Sequence, residues 1–158
     1  MALSALPTAR AQSVLDTLAR SEVTEHWMIL PGPTGCGATH RPGDGGVVIN
    51  GMPSYEVKRQ GGRVLSFSPK QAGPDPLEAG AYTVTMAGHR FDVAGEPWRG
   101  GAAGLRLTVP AALTDLLARG GEMTVSRADR TVLTFVFAAD SALPDELRRC
   151  LGGWLPQD

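Results

Sequence analysis

The sequence predicts a mainly β protein with α+β character only at its margins: an antiparallel β-sandwich or a partly open barrel with two or three short helices. Its 158 residues contain 20 glycines and 12 prolines, which favour many turns and short strands over a helical bundle. About eight or nine short segments of alternating or β-branched residues stand between turn signals, as expected for antiparallel strands. The length suits one domain with a substantial core.

The clearest local pattern lies in the C-terminal third of the chain. Pro110 suits the first turn of a helix, and β-branched and aromatic residues favour strands further on. The predicted elements are a helix over 110–119 ended by Gly120-Gly121, a strand over 123–126, a turn over 127–130, a strand over 131–137 and a helix capped by Asp140 or Ser141.

Side-chain periodicity assigns faces to the last strand and the last helix. Leu133, Phe135 and Phe137 share one face of the strand, which we expect to face the core. The opposite face is only moderately polar, so the strand is predicted to be central in its sheet. The last helix carries one apolar stripe, consisting of Leu143, Leu147, Cys150 and Leu151. This spacing predicts that Cys150 points toward the sheet.

The earlier part of the chain is predicted to consist of short strands and hairpins after one short helix. The helix covers 13–20, and the strands cover 24–30, 47–49, 54–58, 63–67, 81–86, 89–93 and 105–109. Ala87-Gly88 fits a tight two-residue turn. Residues 34–37 are predicted to be a flexible, glycine-flanked loop that exposes Cys36, and residues 94–104 to be another loop.

The first twelve residues, MALSALPTARAQ, differ in character from the rest. Ala9-Arg10-Ala11 has the small-x-small pattern of a signal-peptidase site, and residues 2–6 are typical of the end of an apolar signal segment. We therefore interpret 1–12 as the remnant of a signal peptide or as a disordered N-terminus; a frayed helix is the alternative. Residues 13–158 are predicted to form a single β-rich domain. The expected location is periplasmic or secreted.

Composition excludes several classes of partner. Charged residues make up 20% of the chain and the formal net charge is -1, so there is no basic excess to favour nucleic-acid binding. No apolar run is long enough for a membrane span.

The two cysteines, Cys36 and Cys150, allow three interpretations. A candidate export signal and a wide separation favour one long-range disulfide. The second interpretation is a pair of unrelated buried thiols. The third is a nucleophilic Cys36 with His40 as its base, which would require a third group that orients the histidine.

No pattern in the sequence predicts a metal site, a cofactor or a catalytic residue. The three histidines, His26, His40 and His89, lack the paired spacing of a structural zinc site. The glycine-rich segment 35–46 has no phosphate-binding pattern, and no serine has the context of a nucleophile elbow.

One family resemblance rests on the order of elements in residues 117–151. A Leu-x-x-Gly at 117–120 is followed by strands at 123–125 and 132–137, by FAADSAL at 137–143, and by the last helix. This order resembles the C-terminal half of the invasion-associated locus B family. The resemblance implies a small exported protein of Gram-negative bacteria with a β-sandwich-like core. It implies no known enzymatic activity and transfers no catalytic residue.

These observations predict an exported, non-catalytic, β-rich binding domain of the bacterial envelope, with another envelope or host protein as its partner. Two alternatives remain at this point. One is a small thiol-dependent hydrolase that uses Cys36 and His40. The other is a carrier that holds an apolar ligand in a cavity of the sheet. No pattern names the ligand or the oligomeric state.

Overall fold

A computed structural model describes residues 22–41, 53–68, 77–98 and 104–153. The strands are β1 (Glu22–Val23), β2 (Trp27–Pro31), β3 (Gly35–His40), β4 (Ser54–Lys58), β5 (Arg63–Phe67), β6 (Gly80–Met86), β7 (His89–Trp98), β8 (Gly104–Thr108), β9 (Gly121–Arg127) and β10 (Arg130–Phe137). The helices in these ranges are α1 (Leu113–Arg119) and α2 (Leu143–Gly153). The mainly β class is therefore confirmed.

All the strands belong to one antiparallel sheet, in the order β1-β2-β3-β4-β5-β8-β7-β6-β9-β10. β1 and β10 are its two edges, and the sheet does not close into a barrel. The sheet is curved, so that side chains from its two ends are in contact. Trp27 on β2 stacks on Phe137 of β10, with ring centroids 5.9 Å apart. The arrangement is sandwich-like, and its core lies between the two halves of the sheet.

Two tight turns set the register of the hairpins on one side of the sheet. Ala87 and Gly88 join β6 to β7 with φ angles of 50° and 77°, and Ala128 and Asp129 join β9 to β10 with φ angles of 48° and 62°. Positive φ at both central residues is the condition for a type I′ turn, whose twist matches that of the paired strands. The predicted turn at Ala87-Gly88 is confirmed.

The prediction of an exposed loop around Cys36 was wrong. Gly35 opens β3, and Cys36 is only 1% exposed. The reason lies in a close backbone approach: a Cβ at Gly35 would lie 2.1 Å from the Val57 carbonyl oxygen on β4. Gly35, which we predicted to make a loop flexible, instead allows β3 and β4 to pair.

The prediction of a central last strand was also wrong, although its face assignment was right. Among the described strands β10 pairs with β9 alone, and it therefore lies at the edge of the sheet. Leu133 and Phe137 are buried and Phe135 is half-buried, whereas Val136 on the opposite face is 65% exposed. The outer face, whose moderate polarity predicted a central strand, is exposed at Thr134 and Val136.

Two predicted boundaries differ from the structure, and three predicted segments lie outside the described residues. β7 runs on to Trp98, through part of the predicted loop at 94–104, because its second half pairs with β8. α1 begins at Leu113 rather than at Pro110. The predicted segments at 1–12, 13–20 and 47–49 lie outside the described residues. No helix in the described part of the chain is long and apolar enough to cross a membrane.

Candidate functional site

The predicted disulfide between Cys36 and Cys150 is present. The two Cα atoms lie 6.2 Å apart, within the range of unstrained disulfides, although 114 positions separate the residues in the chain. Cys36 points inward from β3, and Cys150 lies on the buried stripe of α2 with Leu143 and Leu147. The bridge fastens the final helix to a strand near the start of the sheet. Both cysteines of the chain are used in it.

His40 lies at the end of β3 inside a cage of aromatic rings. Its imidazole is 5% exposed and meets three rings edge-on: Trp27 at 5.0 Å, Phe137 at 5.4 Å and Phe135 at 5.6 Å between centroids. Its Nε2 accepts a hydrogen bond from the backbone N–H of Ala138, at 3.4 Å. The ring therefore joins β3 to the segment that leaves β10.

The surroundings keep this imidazole neutral at pH 7. The pKa of His40 is lowered from 6.5 to about 4, chiefly by burial and also by repulsion from His26, while the carboxylate of Asp140 opposes the shift. Because Nε2 accepts the Ala138 N–H, the proton of the neutral ring resides on Nδ1. That nitrogen is buried and has no hydrogen-bond partner among the described residues.

Asp140, two residues beyond Ala138, is the second buried polar group of this region. It is 6% exposed. Its Oδ2 accepts the Thr24 hydroxyl at 2.5 Å and the backbone N–H of His26 at 2.9 Å, while Oδ1 accepts the N–H of Ala142 at 3.2 Å. The carboxylate thus caps the start of α2 and also fastens that start to the β1–β2 turn.

We refer to the contacts of Ala138 and Asp140 with Thr24, His26 and His40 as the latch. The latch and the disulfide hold the same unit from two sides: the latch holds the start of α2, and Cys150 holds its last turns. Between them they attach the end of β10 and all of α2 to β2 and β3, with which α2 makes most of its strand contacts.

An open cleft of about 680 Å³ lies beside the latch. It is lined by Glu25, Asp115, Ala118, Arg119, Ala139, Asp140, Ser141 and Ala142. Both carboxylate oxygens of Asp140, which lines the cleft, already accept hydrogen bonds from the protein. In the described part of the chain, no three His, Cys, Asp or Glu side chains are placed to hold a metal ion together.

The structure separates the other residues that the sequence singled out. His26 is beside His40, with ring centroids 6.4 Å apart, whereas His89 lies on the β6–β7 hairpin and stacks on Phe91. Cys36 and His40 share the inner face of β3, but the sulfur of Cys36 is bonded to Cys150 and offers no thiolate.

The sequence predicted one half of the latch and missed the other. Asp140 was a predicted cap of the last helix, and its bond to Ala142 confirms that role. Its bond to Thr24 spans 116 positions and has no local signature. A partial signal existed at Thr24, whose hydroxyl accepts the N–H of Trp27 three residues later, as a capping threonine does.

Comparisons of the chain with protein-family models, with curated proteins and with solved structures found no match in any of the three.

Proposed function

We propose that this chain is an exported, non-catalytic binding domain of the bacterial envelope, whose partner is another envelope protein or a host protein. The observation that carries the proposal is the buried disulfide between Cys36 and Cys150.

The disulfide supports export because such bonds form and persist in oxidising compartments and are rare in the reducing cytosol. Both sulfurs lie in the core, and the bridge closes a loop of 114 positions. In the chain-entropy model, a loop of this length stabilises the fold by roughly 4–5 kcal/mol. The bridge is therefore part of how the fold is held, and a redox-cycling role would require sulfurs that solvent reaches.

The state of the polar residues supports a non-catalytic role. The groups that lie close together around His40 are engaged in holding the fold: Nε2 of His40 accepts a backbone N–H, and both oxygens of Asp140 accept bonds. A thiol hydrolase would need a thiolate at Cys36, which a disulfide does not provide.

The edges of the sheet support binding. Among the described residues, the two large aliphatic side chains that are exposed are Val23, at 57%, and Val136, at 65%. They lie on β1 and β10, the two edge strands. An edge strand presents unpaired backbone groups to a partner strand, and an exposed aliphatic residue adds apolar contact there. We expect the partner to contact these edges.

The interior gives less support to a carrier of apolar ligands. The space between the two halves of the described sheet is filled by large, fully buried side chains, among them Trp27, Tyr55, Phe67, Tyr82 and Phe137. The cleft beside the latch and a second one beside β7 and β8 are both open to solvent.

Site-specific photo-crosslinking in the producing bacterium tests the proposal. A photoreactive residue replaces Val136, or Val23, in the full-length chain, and Thr85 serves as the control because it is exposed on the outer face of β6. We expect crosslinks to a discrete envelope or host protein from the edge positions and not from Thr85. Equal labelling at all three positions, or a partner that is cytosolic, would contradict the proposal.

A further inference from the structure

We propose that the latch is an acid-sensitive device: when the pH falls, His40 takes up a proton, its bond to Ala138 is lost, and the 138–140 segment separates from β2 and β3 while the disulfide keeps α2 attached. The inference rests on the bonding of the latch and is independent of what the domain binds.

The hydrogen bond at His40 exists only when the ring is neutral. Nε2 accepts the N–H of Ala138 and therefore must carry no proton. If Nε2 were protonated, two hydrogen-bond donors, Nε2–H and the Ala138 N–H, would point at each other. The charged ring would also have no acceptor for Nδ1 among the described residues, since that nitrogen is buried and unpartnered. Protonation therefore breaks the bond rather than strengthening it.

The charges around the His40 ring favour its neutral form in the closed latch. The described titratable groups that face His40 are His26 in the β1–β2 turn and Asp140 beyond β10. His26 repels a charge on His40, and Asp140 attracts it, while burial outweighs that attraction. Arg41, the next residue in the chain, donates to the carbonyl of Thr24 and adds a further positive charge to this end of β3. Glu25 lies 3.6 Å from the His26 ring but is exposed, so its charge is largely screened.

Loss of the bond at Ala138 reaches the rest of the latch because the partners are close in sequence. Asp140 is two residues from Ala138, and its bonds to Thr24 and His26 come from the same segment. Phe137, whose ring stacks on Trp27, is the residue immediately before Ala138.

The disulfide limits how far the opening can go. Cys150 remains bonded to Cys36, so α2 stays attached at its far end when its start is released. The low-pH state that we infer is therefore a local opening at one seam of the sheet. It exposes the aromatic cage of His40 and leaves the remaining strand pairs in place.

Hydrogen exchange followed by NMR on the full, oxidised chain tests this device. Three amides report the latch: Ala138, which bonds to His40, and His26 and Ala142, which bond to Asp140. In the open state His40 has an ordinary histidine pKa near 6.5 and binds a proton that it does not bind in the closed state. We therefore expect the protection factors of these amides to fall by roughly tenfold per pH unit between pH 6.5 and 4.5. The amide of Val84, buried in β6, should keep its protection.

Two variants and one control separate this device from general acid lability. His40→Gln retains a side-chain acceptor for Ala138 without titrating, so its latch amides should stay protected down to pH 4.5. His26→Gln removes the repulsion on His40, so the closed state refuses the proton less strongly and the loss of protection with falling pH should become shallower. His89→Gln, on the distant hairpin, should behave like the wild type.

The wild-type protein alone keeps the test decisive if His40→Gln does not fold. Nitrogen shifts of the His40 ring report its tautomer, which should be the Nδ1-protonated form at pH 7, and its titration should coincide with the opening. Protection of the latch amides that persists to pH 4.5, or that is lost equally in His40→Gln, would overturn the proposal.

Discussion

The side chains of Thr24 and Asp140 share a buried hydrogen bond of 2.5 Å across 116 positions of sequence. Thr24 follows the first edge strand of the sheet, and Asp140 follows the last. The sheet is not closed by backbone pairing between these edges, and this bond, with those of His26 and His40 to the same segment, closes it through side chains instead. The disulfide reinforces the closure on the same side of the molecule.

Removal of Asp140 is expected to destabilise the fold strongly. Asp140→Ala leaves the N–H groups of His26 and Ala142 without their acceptor and removes the bond from the Thr24 hydroxyl, which keeps only the Trp27 carbonyl. Loss of a helix cap and of two further buried bonds should lower the free energy of unfolding by roughly 2–4 kcal/mol. Urea denaturation measures this. Ser141→Ala, at the exposed neighbouring position, is the control and should change stability little.

The disulfide is expected to act as one unit. Cys36→Ser, Cys150→Ser and the double variant should each lose roughly 2–5 kcal/mol of unfolding free energy. The double variant should be no less stable than either single one, because each single change already removes the whole bridge. Denaturation curves of the three proteins give the comparison. A clear difference between the two single variants would show that one sulfur has a role outside the bridge.

The free energy of unfolding is expected to decrease as the pH is lowered, because of His40. Its pKa is about 4 in the folded state and near 6.5 in the unfolded chain, so the unfolded state holds more protons between these values. The contribution of the neutral ring is complete above pH 6.5 and is lost as the pH falls toward 4, by up to about 3 kcal/mol. The difference in unfolding free energy between wild type and His40→Gln, followed over this range, isolates the contribution from that of the carboxylates. A difference that does not vary with pH would contradict the assignment.

Gly120 is expected to be irreplaceable for a reason that its φ alone does not explain. Its φ is 73°, and a Cβ there would lie 2.5 Å from the backbone nitrogen of Ala139, beside the latch. Gly88 has a similar φ of 77° with open space around it. Both substitutions place a side chain at positive φ, but Gly120 also has a ψ of −178°, in a region essentially restricted to glycine, and only Gly120→Ala adds a collision. We expect thermal unfolding to show a larger loss for Gly120→Ala, by roughly 1–3 kcal/mol.

The last strand offers a graded series of substitutions. Phe137 is buried and stacks on Trp27, so Phe137→Ala should cost roughly 3–5 kcal/mol. Phe135→Ala should cost less, because this residue is half-buried, and Val136→Ala should cost almost nothing. Equal losses for Phe135 and Phe137 would mean that the edge of the sheet is covered in solution.

The sequence predicted the features that local chemistry controls. The turn at Ala87-Gly88, the face that carries Leu133 and Phe137, and the inward direction of Cys150 all follow from spacing within a few residues. Each of these depends on backbone preference or side-chain alternation, which neighbouring residues determine.

Features that depend on sheet order could not be obtained in this way. Whether β10 is central or at an edge depends on where β1 to β8 lie, and its own residues do not encode that. The glycines around Cys36 have the composition of a loop, and only the approach of Val57 from β4 shows why a glycine is needed within a strand. The latch joins residues more than 90 positions apart. Its hydrogen bonds could not be predicted from the sequence, because they depend on how the two ends of the sheet meet.

The redox state of the two cysteines in the producing cell tests the central claim most directly. Cells are quenched in acid, free thiols are alkylated before and after reduction with two distinguishable reagents, and peptides with Cys36 and Cys150 are analysed by mass spectrometry in each cell fraction. If the domain is exported and held by this disulfide, both cysteines are oxidised and joined to each other, and the protein is recovered from the periplasmic or secreted fraction. Free thiols at both positions, in a chain recovered from the cytosol, would contradict the account.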